Sequence, residues 1–443
     1  MRKLTLALPA LLFALPIGAQ NAAPERITTL TLDEAVSLAT RNNPAYLEAI
    51  NSRRSTALGV RTAYGAFFPR ISSNLGFSWR EGLPVQFEGQ TIGAASNVLG
   101  SSYGINIGVG YSLASFLQPK QANAQLDQAD ANVAASQSAL RQNVTVQYFT
   151  AVQAVKNADL QDTLIKSQDL QLQFASARER VGSGTPLDTK TAEVNLGRQR
   201  LAAIRAHNSA EVEKVKLFEL IGIPATADVQ LTTDLPVTEP KFNLQDLLSD
   251  AKSHNSTLQL NRAQQRSAEI GKKQTSGNGY IPSFNMSTGI GGYTNMNTDA
   301  TGASRTWPFS FTRQAMNVSA GFSLTIWDGF SREQNVEAAA IRLSNAQQEV
   351  RRTELNVSTT VSSLLSELTL DWRAIQLQLQ IVESARQALL LAQNRYQIGS
   401  TAFTDLSLAL DAFQREQNTL LNDTYTYHRT FAQLEAVVGR PLR

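Results

Sequence analysis

The chain has 443 residues, with 40 Lys+Arg against 37 Asp+Glu and no cysteine. So even a charge balance leaves no basic footprint for nucleic acid, and the absence of thiols excludes disulfide staples and a lipid-modified N-terminal Cys. After the N-terminus no run of about 18 apolar residues occurs, so the mature chain could enter a bilayer only as a β-barrel.

Residues 1–19, MRKLTLALPALLFALPIGA, have the form of a secretory signal peptide: Arg2 and Lys3, an apolar stretch from Leu4 to Leu15, and the small-residue end Gly18-Ala19. Removing Arg2 and Lys3 takes the formal charge from +3 to +1. Thr31-x-x-Glu34 then reads as a capping box opening a helix from Leu32 to Phe68. Two period-two strands follow. Ile71, Leu75, Phe77 and Trp79 oppose Ser72, Asn74, Gly76, Ser78 and Arg80; Tyr103, Ile105, Ile107, Val109, Tyr111 and Leu113 oppose glycines, Asn106 and Ser112. A long helix is expected from Pro119 to the break at Gly182, and a returning helix from there to LIGIP (220–224).

The same order then recurs. Residues 225–242 read as a linker between a first repeat, 20–224, and a second, 243–443. NLQDLLSDAKSHNS matches TLDEAVSLATRNNP, with a weaker cap at Asn243-x-x-Asp246 and an expected helix from Leu244 to Ile281. Pro282 answers Pro69, and GFSL (321–324) answers GYSL (110–113). Arg178, Gly182, Asp188, Gly222 and Pro224 answer Arg395, Gly399, Asp405, Gly439 and Pro441, all at an offset of 217. Several matches in one order at near-constant spacing indicate duplication. The third and fourth strands carry Phe284, Met286 and Ile290, then Met316, Val318, Ala320, Phe322, Leu324 and Ile326, on their apolar faces. Trp79, Tyr103, Trp307 and Trp327 near strand ends read as interface aromatics, and the connections Glu81–Ser102 and Gly291–Arg313 as long outer loops.

Strands of about ten residues, apolar on one face and small or polar on the other, suit lipid outside and water inside. Four such strands cannot close a barrel, and open edges are not tolerated in lipid. Several copies must therefore share one barrel. The helices carry heptad stripes, Val144, Ala151, Ala158, Ile165 and Leu172 in one half and Val361, Leu368, Ile375, Val382, Leu389 and Tyr396 in the other. At about 1.5 Å per residue, the stretch from Pro119 to Gly182 spans roughly 90 Å, too long for a compact domain. Gly182 and Gly399 read as left-handed helix ends. Thr185 or Asp188, and Thr404 or Asp405, are expected to cap the returning helices, with Pro186 in the first turn.

The two tips, R-x-x-x-G-x5-D at Arg178/Gly182/Asp188 and at Arg395/Gly399/Asp405, and especially RYQIGSTAFTDLSLA, resemble the TolC-like family of outer membrane efflux ducts. The resemblance extends over essentially the whole mature chain. It implies a mainly helical fold with membrane β-strands, assembled as a homotrimer. Four strands per chain would form a shared twelve-stranded β-barrel in outer membrane lipid, and the long α-hairpins a trimeric α-barrel across the periplasm. The segments near Leu32–Asn43, the linker and the C-terminus would form an equatorial band. The resemblance further implies docking of a periplasmic adaptor (membrane fusion) protein and an inner-membrane pump, of RND or ABC type, at the tips. The docking positions would be Arg178, Val181, Gly182 and Asp188 with Arg395, Ile398, Gly399 and Asp405. The chain departs from the family where an acidic ring is usual: Arg386 to Ile398 contains no Asp or Glu. Gln387, Gln393, Arg395 and Gln397 are the candidate constriction instead, with weak cation selectivity expected.

Enzymatic chemistry finds no constellation. The three histidines, His207, His254 and His428, are isolated, and there is no phosphate loop, metal-spaced cluster or cofactor motif. The alternatives to a duct are a coiled-coil envelope spacer without channel activity, which would not need four amphipathic strands, and a soluble periplasmic binding module, which would not need the rods.

Overall fold

The computed structural model describes residues 28–82, 85–88, 90–92, 97–224, 229–232, 236–278, 280–297 and 309–442. The signal peptide, Trp307 and parts of the linker and of both outer loops lie outside them. In chain order the elements are β1 (Thr29–Leu30), α1 (Leu32–Asn42), α2 (Pro44–Gly65), β2 (Arg70–Arg80), β3 (Val85–Phe87), β4 (Gln90–Ile92), β5 (Val98–Tyr111), α3 (Leu113–Arg180) and α4 (Pro186–Ile221). The second half runs β6 (Gln230–Leu231), α5 (Leu244–His254), α6 (Ser256–Asn278), β7 (Ser283–Asn297), β8 (Thr312–Arg313), β9 (Asn317–Ser323), α7 (Ser331–Gln397) and α8 (Phe403–Val438).

The long helices pair as expected, α3 on α4 and α7 on α8. Helices of 68 and 67 residues are each about 100 Å long. The heptad positions form their seams: Val144, Ala151 and Ala158 are buried in the first hairpin, and Val361, Leu368, Ile375, Leu389 and Tyr396 in the second. α3 also packs on α8 and on α6, which joins the two halves side by side.

The duplication holds down to single hydrogen bonds. Asn43 Nδ2 donates to Leu220 O at 2.8 Å, and Asn255 Nδ2 to Val437 O at 2.8 Å. In each case the same asparagine accepts from a backbone N–H three residues on, that of Tyr46 and of Leu258. These asparagines correct the sequence reading. The helices expected as Leu32–Phe68 and Leu244–Ile281 are each broken in two, because Asn43 and Asn255 take extended φ/ψ (−64°, 121° and −60°, 117°). Pro44, without an N–H, starts a new helix behind Asn43. The long hairpins close just there. Gly222 and Gly439, both at φ +83°, lie so close to Asn42 and His254 that a Cβ would come within 2.5 Å and 2.4 Å of their carbonyl oxygens. Only glycine fits both the left-handed turn and the approach.

Three further expectations are corrected. α3 begins at Leu113, not after Pro119; a Ser112–Ser115 capping box starts it, and Pro119 is taken into the second turn. The expected fourth strand, from Met316 to Ile326, is ordered as a ladder only over Asn317–Ser323, with the short β8 before it. Its ladder with β7 ends at Ser323, so among the described residues Leu324 and Ile326 take part in no strand pairing. The Thr31–Glu34 capping box forms, but Asn243 caps through Gln245 N rather than through a box with Asp246. Two small pairings were not foreseen: the parallel bridge of β1 with β6, which ties the N-terminal segment to the linker, and the β3–β4 hairpin in the first outer loop.

The main sheet has the order β2-β5-β7, with β8 and β9 together filling the fourth position beside β7. All its pairings are antiparallel. Ile71, Leu75, Phe77, Trp79, Val318 and Phe322 stand exposed on one face. The other is a small polar ladder in which Ser287 meets Ser319 at 2.8 Å and Asn106 reaches Asn74. Glycines there leave room for larger neighbours: a Cβ on Gly104 or Gly289 would strike the amide of Asn74 or Asn106. Among the described residues no helix is long and apolar enough to cross a membrane.

Candidate functional site: the hairpin tips

Both tips close by the same hydrogen bonds. Gly182 N–H donates to Glu179 O and Ser183 N–H to Arg178 O; Gly399 N–H donates to Tyr396 O and Ser400 N–H to Arg395 O. With φ of +76° and +80° at the glycines, these are Schellman turns. Serine hydroxyls repeat the second bond, Ser183 Oγ to Arg178 O and Ser400 Oγ to Arg395 O.

The returning helices differ. Thr185 caps α4 and forms a reciprocal box with Asp188. At the second tip the N-cap is Ala402, without a side-chain bond, so neither Thr404 nor Asp405 is the cap. Asp405 lies in the first turn, where its charge faces the positive helix end, and accepts from Thr401 Oγ1 at 2.7 Å.

Arg178 does what the sequence did not reveal. It leaves the first hairpin and closes on the second. Its Nη1 donates to Tyr396 O at 2.7 Å, its Nη2 to Ser183 O at 2.8 Å, and its guanidinium lies 4.6 Å from the centroid of the Tyr396 ring. Tyr396 is buried, edge-on to Phe403, in a small core with Ala175, Ala192, Leu389, Leu406 and Leu410. Burial pushes its phenol pKa up, the charge of Asp188 adds to that, and Arg178 opposes it. The structure thus brings Arg178, Gly399, Asp188 and Tyr396 into one cluster. Val181 and Ile398 project as apolar knobs, 77% and 80% exposed. Arg395, the counterpart of Arg178, is exposed, with no side-chain partner among the described residues.

The four candidate constriction residues are not brought together on one face. At about 100° per residue, Gln387 shares a stripe with Leu391, Asn394 and Ile398, opposite the buried Leu389 and Tyr396. Gln393 lies roughly 120° round to one side, with Gln397 between, and Arg395 roughly 80° to the other. Only the Gln387 stripe points squarely away from the hairpin core. The nearest acid, Glu383, is engaged: Arg386 donates twice to it at 2.9 Å and Gln387 at 3.0 Å. Those bonds pull its pKa down to about 2. Of the histidines, His207 pairs with Asp162, His254 lies at the end of α5, and His428 is buried against Phe149.

Two repeats, each a helix of about 100 Å with a return helix of about 54 Å, carry a small, two-edged sheet with an apolar exposed face, the form of a duplicated membrane-anchored helical hairpin subunit. The model of the family described as outer membrane efflux protein matches residues 35–223 and 247–440. Outer membrane protein TolC of Escherichia coli is 22% identical over 325 residues, 73% of this chain and 65% of that protein. TolC of Vibrio cholerae is 21% identical over 409 residues, 92% of this chain and 90% of that one. The crystal structure of the CmeC outer membrane channel of Campylobacter jejuni is similar in fold, with a TM-score of 0.77 and 16% identity over 92% of this chain and 85% of that one. The chain belongs to the outer membrane efflux protein family.

Proposed function

We propose that the chain is the exit duct of a tripartite efflux or type I secretion system, a passive channel opened at its tips by an adaptor and an inner-membrane pump. Residues 1–19 direct export and are removed; the halves 20–224 and 243–443, joined by 225–242, build the duct. Three copies supply twelve strands to one barrel in the outer membrane and twelve long helices to the tunnel beneath it. The observation that carries this reading is the sheet. β2 pairs only with β5 and β9 only with β7, so both outer edges are open among the described residues, while the apolar face stands exposed. Such edges are stable in lipid only when a neighbouring copy closes them.

The adaptor docks at Arg178, Val181, Gly182 and Asp188 and at Arg395, Ile398, Gly399 and Asp405. The pairing of polar turns with the exposed Val181 and Ile398 supports this placement. The test is twofold. Detergent-extracted outer membrane should yield heat-modifiable trimers that conduct in planar bilayers, and a deletion strain should lose export of one class among drugs, metals and secreted proteins. Gly182→Val and Gly399→Val should keep trimer and insertion but lower export. Trimers that never conduct would favour the envelope-spacer reading.

A further inference from the structure

A cavity of about 300 Å³ lies between α3 of the first half and the junction of α5, α6 and α8 in the second. That volume stands at the lower end of the range for small-molecule pockets, about 300–1,000 Å³. By helix length the cavity is roughly 60 Å from the tip, since Arg141 in its wall stands 40 residues before Val181.

The two sides of the cavity differ. Arg141 of α3 and Arg440, just after α8, bring guanidinium groups to it. Arg440 is ion-paired with Asp250 of α5, which engages part of a five-donor fork and leaves the rest. The Arg141 side chain has no partner among the described residues. α6 begins at the rim with Ser256 and adds the positive end of a helix. Ala134, Ala432, Ala436 and Pro441 form the apolar side. Among the described residues lining the cavity the acid is Glu435, which accepts from Leu442 N–H at 2.8 Å.

The duplicated frame does not call for these charges. At the offset of 217, Arg141, Glu435 and Arg440 answer Ser358, Phe218 and Ile223. The hairpin base closes in both halves, at Gly222 and at Gly439, without charge at those positions in the other half.

We propose that this cavity binds a small monocarboxylate with a short apolar body, such as an acylated amino acid or the carboxyl end of a peptide. A guanidinium fork meets a carboxylate with two parallel hydrogen bonds. Glu435 disfavours a doubly charged phosphate in the same place. The alanines and Pro441 receive the hydrocarbon. A molecule held there touches α3 of one half and α5, α6 and the end of α8 of the other, so it braces the two halves at the level where Asn255 fixes the second hairpin. The cavity lies within one chain and does not depend on the ring of copies.

The test uses the purified, detergent-solubilised protein, titrated with N-acetylalanine and followed by saturation-transfer NMR, with N-acetylalanine methylamide and inorganic phosphate in parallel. The acid should give a saturable signal and raise the melting temperature, as a ligand of the folded state does. The methylamide should do neither, and phosphate should displace the acid only at much higher concentration. Arg141→Gln should weaken binding by about tenfold or more, and Arg141→Lys by less. Arg440→Gln also releases Asp250, so Arg141, with no protein bond to lose, is the deciding position. Ala436→Leu fills the apolar side, keeps both guanidinium groups and should abolish the signal, whereas Arg180→Gln at the tip should leave it unchanged. Melting curves without ligand show that each variant is folded. Equal binding of acid and methylamide, or unchanged affinity in Arg141→Gln, overturns carboxylate recognition by this cavity. Phosphate binding as tight as that of the acid overturns the monocarboxylate class. Unchanged binding in folded Ala436→Leu overturns the placement, and no saturable signal in the wild type overturns the site.

Discussion

Arg178→Met removes the clasp between the two tips of one chain while keeping an unbranched apolar stem. The Arg178 guanidinium donates one hydrogen bond across to Tyr396 O at 2.7 Å and lies over the Tyr396 ring at 4.6 Å, while its second bond, to Ser183 O at 2.8 Å, stays within its own tip and does not join the two. Charged hydrogen bonds contribute about 1.5–3 kcal/mol each when buried, and a cation on an exposed ring about 0.5–1 kcal/mol. The site is half-exposed and the terms share one group, so the sum is discounted to about 2–3 kcal/mol. That corresponds to roughly 30- to 150-fold in the ratio of joined to parted tips. Dwell times of single channels in planar bilayers measure the ratio directly. A double-mutant cycle with Tyr396→Leu should give a coupling well above the few tenths of a kcal/mol typical of independent sites. Arg180→Met, an exposed arginine two residues on, is the control. If Arg178→Met opened no more often than Arg180→Met, the clasp would have no part in closing the channel.

Gly222→Ala and Gly439→Ala should each lower the melting temperature of the assembled protein, since a left-handed φ costs an L-residue about 1–2 kcal/mol before the clash with Asn42 O or His254 O is counted. Thr185→Ala should cost about 1 kcal/mol and speed hydrogen exchange in the first turn of α4; Ala402→Gly should change the second tip little, because no side-chain cap exists there. Asp371→Asn should stabilise the protein at pH 7. Burial, then the charges of Glu367 and Asp423, raise the Asp371 pKa against the hydrogen bond from Thr430. A raised folded pKa means that the ionised form is the disfavoured one. The wild type therefore gains stability as pH falls through that pKa, and the advantage of Asn should vanish in acid, as thermal melts across pH will check. Reversal potentials should show weak cation selectivity, with Glu383 neutralised by Arg386; Gln387→Glu should raise it, whereas Gln393→Glu, on another face, should do so less.

The duplication, the hairpins and the membrane strands were legible because each rests on a period that residues state openly: seven for the seams, two for the strands, 217 for the repeat. Most of what was missed depends on partners remote in sequence. Asn255 looks like an ordinary polar position in a helix, and its side chain is held by Val437 O, 182 residues away; Asn43 has Pro44 behind it as a local break signal, besides its bond to Leu220 O, 177 residues away. The Arg178 clasp joins residues 218 apart, and nothing near Arg178 names Tyr396. The fourth strand was drawn too long because alternation continues past Ser323 while the ladder does not. Gln387, Gln393, Arg395 and Gln397 stand where the resemblance implies a ring, just before the second tip, and helical phase spreads them over more than half a turn.

The bonds at Asn43 and Asn255 fix the hairpins at one level, far from the tips. Between the buried Tyr148, whose hydroxyl holds Leu30 O at 2.8 Å, and Val181 lie 33 residues of helix, a lever of about 50 Å. A rotation of about 10° at its base would carry the tip sideways by roughly 9 Å, more than the reach of the Arg178 side chain. The tips can therefore part widely while every contact at the pivot shifts by less than an atomic diameter. A partner pulling at the far end would work with the full mechanical advantage of the rod.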